Sequence, residues 1–286
     1  MPARPPNDRR TVPRLTESRG KVTLMTRFLT LLTLVALPFL AVRFLEGRAI
    51  FFPVKPLAAL PSAYGLRFED VYFETTDRQK LNAWYLPGRE GAKVFLFCHG
   101  NAGNISHRIE KLAFLNGLGY GVLILDYRGY GNSEGRPGEQ GFYRDAEAAY
   151  DYLRSRGVPP ERITGYGESI GGSVVAHLAT RRSLGAVIFE NSFTNIGDMA
   201  RAHYPVIPPW ILASRFDTRE AVASLKVPKL FIRSREDKIV PPRLGADLFR
   251  AAADPKESLE IRGGHNDGFF ESKDLIGPRL REFLGE

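Results

Sequence analysis

Between residues 94 and 261 the chain alternates short apolar runs with longer amphipathic stretches. The runs are VFLFC (94–98), VLILD (122–126), RITGY (162–166), AVIFE (186–190), KLFIR (229–233) and LEI (259–261). Unbroken apolar runs mark strands buried on both faces. Stretches at about 104–118, 140–156, 170–182, 242–253 and 269–284 carry helical spacing. Strand and helix in regular succession require parallel crossovers, so the pattern predicts an α/β fold with a mostly parallel central sheet sandwiched by helices. Ahead of this region, VYFETTD (71–77) and LNAWYLP (81–87) read as a hairpin with Asp77 and Arg78 near the turn.

The N-terminus is patterned differently. FLTLLTLVALPFLAV (28–42) carries no charge. It is shorter than the roughly 20 residues that span a hydrocarbon core, but Leu24, Met25, Phe44 and Leu45 extend it, and Arg27 and Arg43 can snorkel. An uncleaved signal anchor over 25–46 is expected; a cleaved signal and a buried amphipathic helix are the alternatives. The basic flank before the span stays cytoplasmic, which puts the domain on the other side, periplasmic in a bacterium, or secreted if the signal is cleaved. Residues 1–24, rich in Pro, Arg and Ser, read as a basic disordered tail, and Met25 is an alternative start.

Charge and cysteine content narrow the function classes. The net charge of +8 suggests a nucleic-acid partner until it is located. Residues 1–48 hold nine of the 40 Lys/Arg and three of the 32 acids, so the rest of the chain has 31 basic against 29 acidic residues. The globular part is nearly neutral and carries no nucleic-acid footprint. The one cysteine, Cys98, excludes an internal disulfide framework and thiolate zinc sites.

In sheets of this kind chemistry gathers at the carboxyl ends of the strands. Those ends read CHGNAGN (98–104), DYRGYGNSEG (126–135), GYGESIGG (165–172), ENSFTN (190–195), RSREDKIV (233–240) and RGGHND (262–267). Gly167-Glu168-Ser169-Ile170-Gly171 fits G-x-S-x-G at a strand-to-helix junction, a tight turn that exposes a strained serine. Side chains two residues before and after that serine would strike the adjacent helix and strand. The serine needs a base. Of the five histidines, His177 lies inside a helix, His107 opens a polar one, and His99 reads as a loop anchor. His203 sits in a Pro-rich insertion, where it reads as structural or pocket-lining. His265, in GGHND after the last strand, is the candidate base. Asp237 in REDKIVP is the candidate orienting carboxylate, with Glu236 the alternative. Dinucleotide binding does not fit: GYGESIGG and GYGNSEG each place the third glycine one residue too far for G-x-G-x-x-G.

These stretches, with FDT (216–218) and EDKIVP (236–241), resemble the α/β-hydrolase superfamily from about residue 70 to 286, and more closely its Bem46/ABHD-type branch of membrane-tethered serine hydrolases. The chain order Ser169, Asp237, His265 is that expected of the superfamily. The resemblance implies a hydrolase domain over 60–286 with a short cap insertion at about 192–227. It also implies an oxyanion hole from the backbone N–H groups of Asn101 and Ile170, and acyl transfer without metal or organic cofactor. FFPVKP (51–56) matches a stretch that follows the apolar segment in that branch. Two departures stand out, Arg233-Ser234 where relatives have His-Gly and Asn191-Ser192 where they have Ser-Pro or Ala-Pro, and neither is expected to touch the triad. In the insertion, His203, Tyr204 and Trp210 are candidate pocket residues for a small-molecule or lipid-like acyl group. An ester or thioester hydrolase leads; a peptidase or aminopeptidase-like amide hydrolase and a non-catalytic membrane-tethered binding module are the alternatives.

Overall fold

The structure, a computed structural model, describes Met1 and residues 16–285. The chain forms two compact units, Met1–Phe44 and Leu45–Glu286. Helix α1 runs Thr16–Ile50. Its segment Thr26–Ile50 is long and apolar enough to cross a membrane by length and composition, with mean hydropathy 2.2. The expectation of a disordered tail over 1–24 lies outside the described residues as far as residue 15. From Thr16 it is corrected, because the chain is already helical there. After Pro13 no proline interrupts the sequence until Pro38, so nothing stops the helix extending backwards from the apolar run.

In the second unit the strands are β1 (Phe52–Pro53), β2 (Glu69–Glu74), β3 (Lys80–Leu86), β4 (Val94–Cys98), β5 (Ala102–Gly103), β6 (Gly121–Leu125), β7 (Ile163–Glu168), β8 (Ala186–Glu190), β9 (Lys229–Ser234) and β10 (Lys256–Ile261). The helices after α1 are α2 (Ile109–Gly117), α3 (Glu139–Ser155), α4 (Ile170–Arg181), α5 (Ile196–His203), α6 (Thr218–Ser224), α7 (Pro242–Ala251), α8 (Gly268–Glu271) and α9 (Lys273–Leu284). Eight strands make one sheet in the order β10-β9-β8-β7-β4-β6-β3-β2. The β2–β3 hairpin is antiparallel and joins β6 antiparallel; every other pair in this sheet is parallel. The predicted α/β fold is therefore the observed one.

Alternate side chains of each central strand serve different layers. From β4, Val94, Leu96 and Cys98 pack with Phe142 of α3, Val174 of α4 and Leu248 of α7. Phe95 and Phe97 face the other way, toward Leu112 of α2 and Ile276 of α9. Burial on both faces is why these strands read as unbroken apolar runs. The single helix expected over 269–284 is instead two, parted at buried Ser272, whose hydroxyl accepts the Arg262 N–H at 2.9 Å.

The topology places the site. The chain passes from β4 to β6, then crosses back over β4 to β7 and continues outward to β10. The carboxyl ends of β4 and β7 thus flank the point where the winding reverses, where open α/β sheets bind ligands.

Candidate active site

Ser169 follows β7 directly and caps α4 with φ 55° and ψ −119°, a conformation that costs an L-residue about 1–3 kcal/mol. The surroundings enforce it. Its N–H donates to the Glu190 carbonyl at 2.8 Å, and its carbonyl accepts from Gly172 N–H at 3.0 Å and from the Ser192 hydroxyl at 2.6 Å. A Cβ on Gly167 would sit 2.5 Å from the backbone of Gly171 and Gly172 in α4, and one on Gly171 would sit 2.0 Å from the Cys98 carbonyl oxygen of β4. The turn is therefore built from residues without side chains at these two points. Ser169 is 6% exposed, and its hydroxyl makes no hydrogen bond to the described residues.

The other two candidates are joined. Asp237, in the turn after β9, accepts Ile239 N–H (2.8 Å) and Val240 N–H (2.7 Å) on Oδ1. Its Oδ2 lies 2.6 Å from Nδ1 of His265, in the turn after β10. With a carboxylate there, Nδ1 carries the proton and Nε2 is left free to accept one. Glu236, the alternative acid, is exposed.

Asn101 and Ile170 lie at the ends of the two strands that flank the switch point. Neither backbone N–H donates to the described residues. Gly100 lies against the elbow: a Cβ there would be 3.0 Å from Glu168 Oε1 and in ordinary contact with Ser169 Cβ at 3.6 Å. His99, fully buried, donates from Nδ1 to the Gly100 carbonyl at 2.7 Å. In a trans peptide the N–H points opposite the C=O, so this bond sets the direction of the Asn101 N–H. The loop-anchor reading of His99 thus acquires a specific consequence.

The two sequence departures are corrected. Asn191 Nδ2 donates to the His265 carbonyl (3.2 Å), and its Oδ1 accepts Ser234 N–H (2.8 Å). The Ser234 hydroxyl in turn donates to the Gly263 carbonyl. With the Ser192–Ser169 bond, residues 191, 192 and 234 tie together the turns that carry Ser169 and His265.

Of the candidate pocket residues, His203 donates from Nε2 to the Ile239 carbonyl at 2.8 Å, which attaches the end of α5 to the turn holding Asp237. Tyr204 and Trp210 are exposed, Trp210 by 75%.

A buried charge network beneath the elbow has no sequence signature. Lys111 of α2 places Nζ 2.8 Å from Glu168 Oε2 and 2.8 Å from both carboxylate oxygens of Glu190. Arg108 bonds Glu168 Oε1 at 2.9–3.0 Å, and the Tyr166 hydroxyl bonds Glu190. Glu168 precedes Ser169, and Glu190 supplies the carbonyl that holds the Ser169 N–H, so the network fixes both backbone neighbours of the elbow. In the sequence Lys111 is an ordinary helical lysine next to apolar Leu112. Only the fold reveals that its ammonium reaches over the Phe269 ring, 4.4 Å from the centroid, into the sheet edge.

Burial pushes the Glu168 carboxyl up, but Arg108 and Lys111 outweigh that and hold it well below the usual carboxylate range. A folded-state value below the unfolded value of about 4.3 adds stability above that pH, and the contribution is lost as pH falls through the window beneath it. Removing Lys111 leaves Glu168 with Arg108 and takes from buried Glu190 the cation that both its carboxylate oxygens meet. Lys111→Met is therefore expected to cost about 3–5 kcal/mol, the usual penalty for breaking a buried ion pair. Thermal melts should show a Tm lower by roughly 10 °C at neutral pH, a deficit that narrows as pH falls below about 4 and the contribution of the Glu168 carboxylate is lost. A variant melting within about 2 °C of wild type at neutral pH would rule the network out as a stabilising element.

A strained serine after the central strand, with an Asp–His pair on the turns beyond it in this strand order, is the α/β-hydrolase architecture. A family model described as "Serine aminopeptidase, S33" matches residues 89–215. The chain is 35% identical over 234 residues to alpha/beta hydrolase domain-containing protein WAV2 of Arabidopsis thaliana, covering 73% of this chain and 76% of that one. It is 32% identical over 233 residues to protein bem46 of Schizosaccharomyces pombe, covering 74% and 77% respectively. Among solved structures, the Pyrococcus furiosus esterase Pf2001 superposes with a TM-score of 0.68 over 82% of this chain and 98% of that one, at 21% identity, a likeness of fold. The chain belongs to the Bem46 family of α/β hydrolases.

Proposed function

We propose that the protein is a serine hydrolase that cleaves carboxylic esters or thioesters through an acyl-enzyme on Ser169. The observation that carries this reading is the 2.6 Å Asp237–His265 contact on the turns beyond a positive-φ serine. In the first step Ser169 Oγ attacks the acyl carbon and its proton passes to His265 Nε2. Asp237 holds the imidazole in the tautomer that accepts it and stabilises the imidazolium. The tetrahedral oxygen gathers charge opposite the Asn101 and Ile170 N–H groups, where each donor is worth about 3 kcal/mol in comparable sites. The N-terminal end of α4 adds its dipole. The C–O or C–S bond then breaks, and the leaving alcohol or thiol takes the proton from Nε2. Water, deprotonated by His265, repeats the attack and releases the acid.

The substrate class is a small-molecule or lipid-like acyl compound. The helix over Thr26–Ile50 anchors the protein, with Arg27 on the cytoplasmic side and the hydrolase domain on the other. A second reading, an aminopeptidase-like amide hydrolase, draws on the description of the matched family model.

A fluorophosphonate probe and a substrate panel test both. The wild type is expected to be labelled at Ser169 and to cleave p-nitrophenyl esters in preference to aminoacyl anilides. Preference for the anilides would replace the esterase reading with the peptidase one. No labelling and no turnover of either would leave a non-catalytic membrane-tethered module.

A further inference from the structure

The segment that joins the apolar helix to the domain, residues 46–56, lies outside the central sheet, yet it is bonded to the loop that carries the Asn101 N–H. The Phe52 N–H donates to the Asn101 carbonyl at 2.9 Å, and the Val54 N–H donates to the Gly103 carbonyl at 3.0 Å. These bonds make β1 a parallel partner of β5, Phe52 opposite Ala102 and Pro53 opposite Gly103. The Asn101 carboxamide donates back to the Ile50 carbonyl at 2.7 Å. Asn104 Nδ2 holds the Val54 and Pro56 carbonyls at 3.0 and 3.1 Å. From the other side, the Tyr130 hydroxyl donates to the same Asn101 carbonyl at 2.7 Å.

The segment is itself immobilised. Phe51 is buried, edge-on to Phe142 at 5.1 Å. The Glu46 carboxylate, 6% exposed, accepts the N–H groups of Ala213 (2.7 Å) and Ser214 (2.6 Å) in the insertion between α5 and α6. An α/β sheet needs none of these bonds to close its core. Three of them meet at Asn101, whose own N–H makes no hydrogen bond to the described residues.

We propose that residues 50–54, with β1 at their centre, are a positioning segment for the oxyanion hole, so that the junction with the membrane helix is part of the active-site frame. The inference rests on the reading of Asn101 as an oxyanion donor. His99 sets the tilt of the Gly100–Asn101 peptide from inside the fold. Phe52, Ile50 and Tyr130 fix Asn101 from outside. Loosening either outer tether displaces the donor from the place where the oxyanion forms. Misplacement by about 1 Å costs about 100-fold in rate, and outright loss of a donor 100- to 1,000-fold. A proteolytic cut within 46–54 would free this strand, so the active form keeps the junction intact.

The test uses the full chain in detergent micelles with two variants. Phe52→Pro deletes one N–H donor, and Tyr130→Phe deletes one hydroxyl while keeping the buried ring. The readouts are kcat and KM on p-nitrophenyl butyrate, the inhibition constant of an alkyl trifluoromethyl ketone, and Tm. The ketone's hemiketal with Ser169 carries the oxyanion. Each variant is expected to lose about tenfold in kcat and about tenfold in ketone affinity, with KM within about twofold, since the oxyanion exists only after attack. The double variant is expected to lose about 100-fold. If Phe52→Pro does not fold, Tyr130→Phe decides alone. Wild-type kcat and ketone affinity in Tyr130→Phe, or a lowered Tm with both retained, overturns the inference while leaving the hydrolase reading standing. A wild type that binds neither ester nor ketone overturns both.

Discussion

Ser169→Ala is expected to lower kcat on any ester the wild type cleaves by about a million-fold, the loss seen when the nucleophile of such a triad is removed. The change is well suited to test chemistry apart from folding. The Ser169 hydroxyl makes no hydrogen bond to the described residues, so its removal leaves no buried partner unpaired. The bonds that hold the elbow use backbone atoms, the Ser169 N–H to Glu190 and its carbonyl to Ser192 and Gly172, and alanine keeps them all. The positive φ is as strained for alanine as for serine, so Tm should stay within a few degrees. Labelling by a fluorophosphonate should vanish together with turnover, and what remains should come from binding and the oxyanion donors. Activity within about 100-fold of wild type would place the nucleophile elsewhere and remove the mechanism proposed for this site.

How much of this was legible beforehand follows from which interactions are local. The central strands announce themselves because burial on both faces forces unbroken apolar runs, and VFLFC and AVIFE fall within a residue of β4 and β8. The elbow is legible for a similar reason: Gly167 and Gly171 meet backbone at 2.0–2.5 Å, so the constraint is written as glycine at fixed spacing. His265 and Asp237 are legible because each sits in a polar turn directly after an apolar strand. What stayed hidden consists of pairings between distant segments whose members look ordinary one at a time. Lys111, Glu168 and Glu190 are three charges on three elements, and no spacing relates them. Asn191 and Ser234 look remote from the triad along the sequence, but sheet pairing of β8 with β9 brings them together under His265. FFPVKP stands out as a stretch, yet its partner, the Asn101 loop, lies some fifty residues on, and two-residue strands leave no periodic trace. The single helix expected over 269–284 failed because Ser272 spends its hydroxyl on the Arg262 N–H, a contact that propensity does not register.

Asp237→Asn is expected to lower kcat by about 10,000-fold while leaving the fold nearly unchanged. The turn decides how the new side chain must sit. Ile239 and Val240 both direct N–H groups at Oδ1, at 2.8 and 2.7 Å, so that position demands an acceptor. The amide oxygen of asparagine takes it, which turns the NH2 toward His265 Nδ1, 2.6 Å from the displaced carboxylate oxygen. A donor there obliges Nδ1 to accept, and the imidazole proton moves to Nε2. The ring then presents an N–H, not a lone pair, to the serine and cannot act as its base. The defect lies in a tautomer and not in packing. Kinetics and melting should therefore separate, with fluorophosphonate labelling slowed in step with kcat while Tm stays close to wild type. Asp237→Ala makes the contrast, since it strands both turn N–H groups and should cost about 1–3 kcal/mol of stability as well as activity. An asparagine variant that keeps more than about a tenth of wild-type kcat would mean that His265 does not depend on this carboxylate, and Glu236 or an acid on another strand would have to be sought in its place.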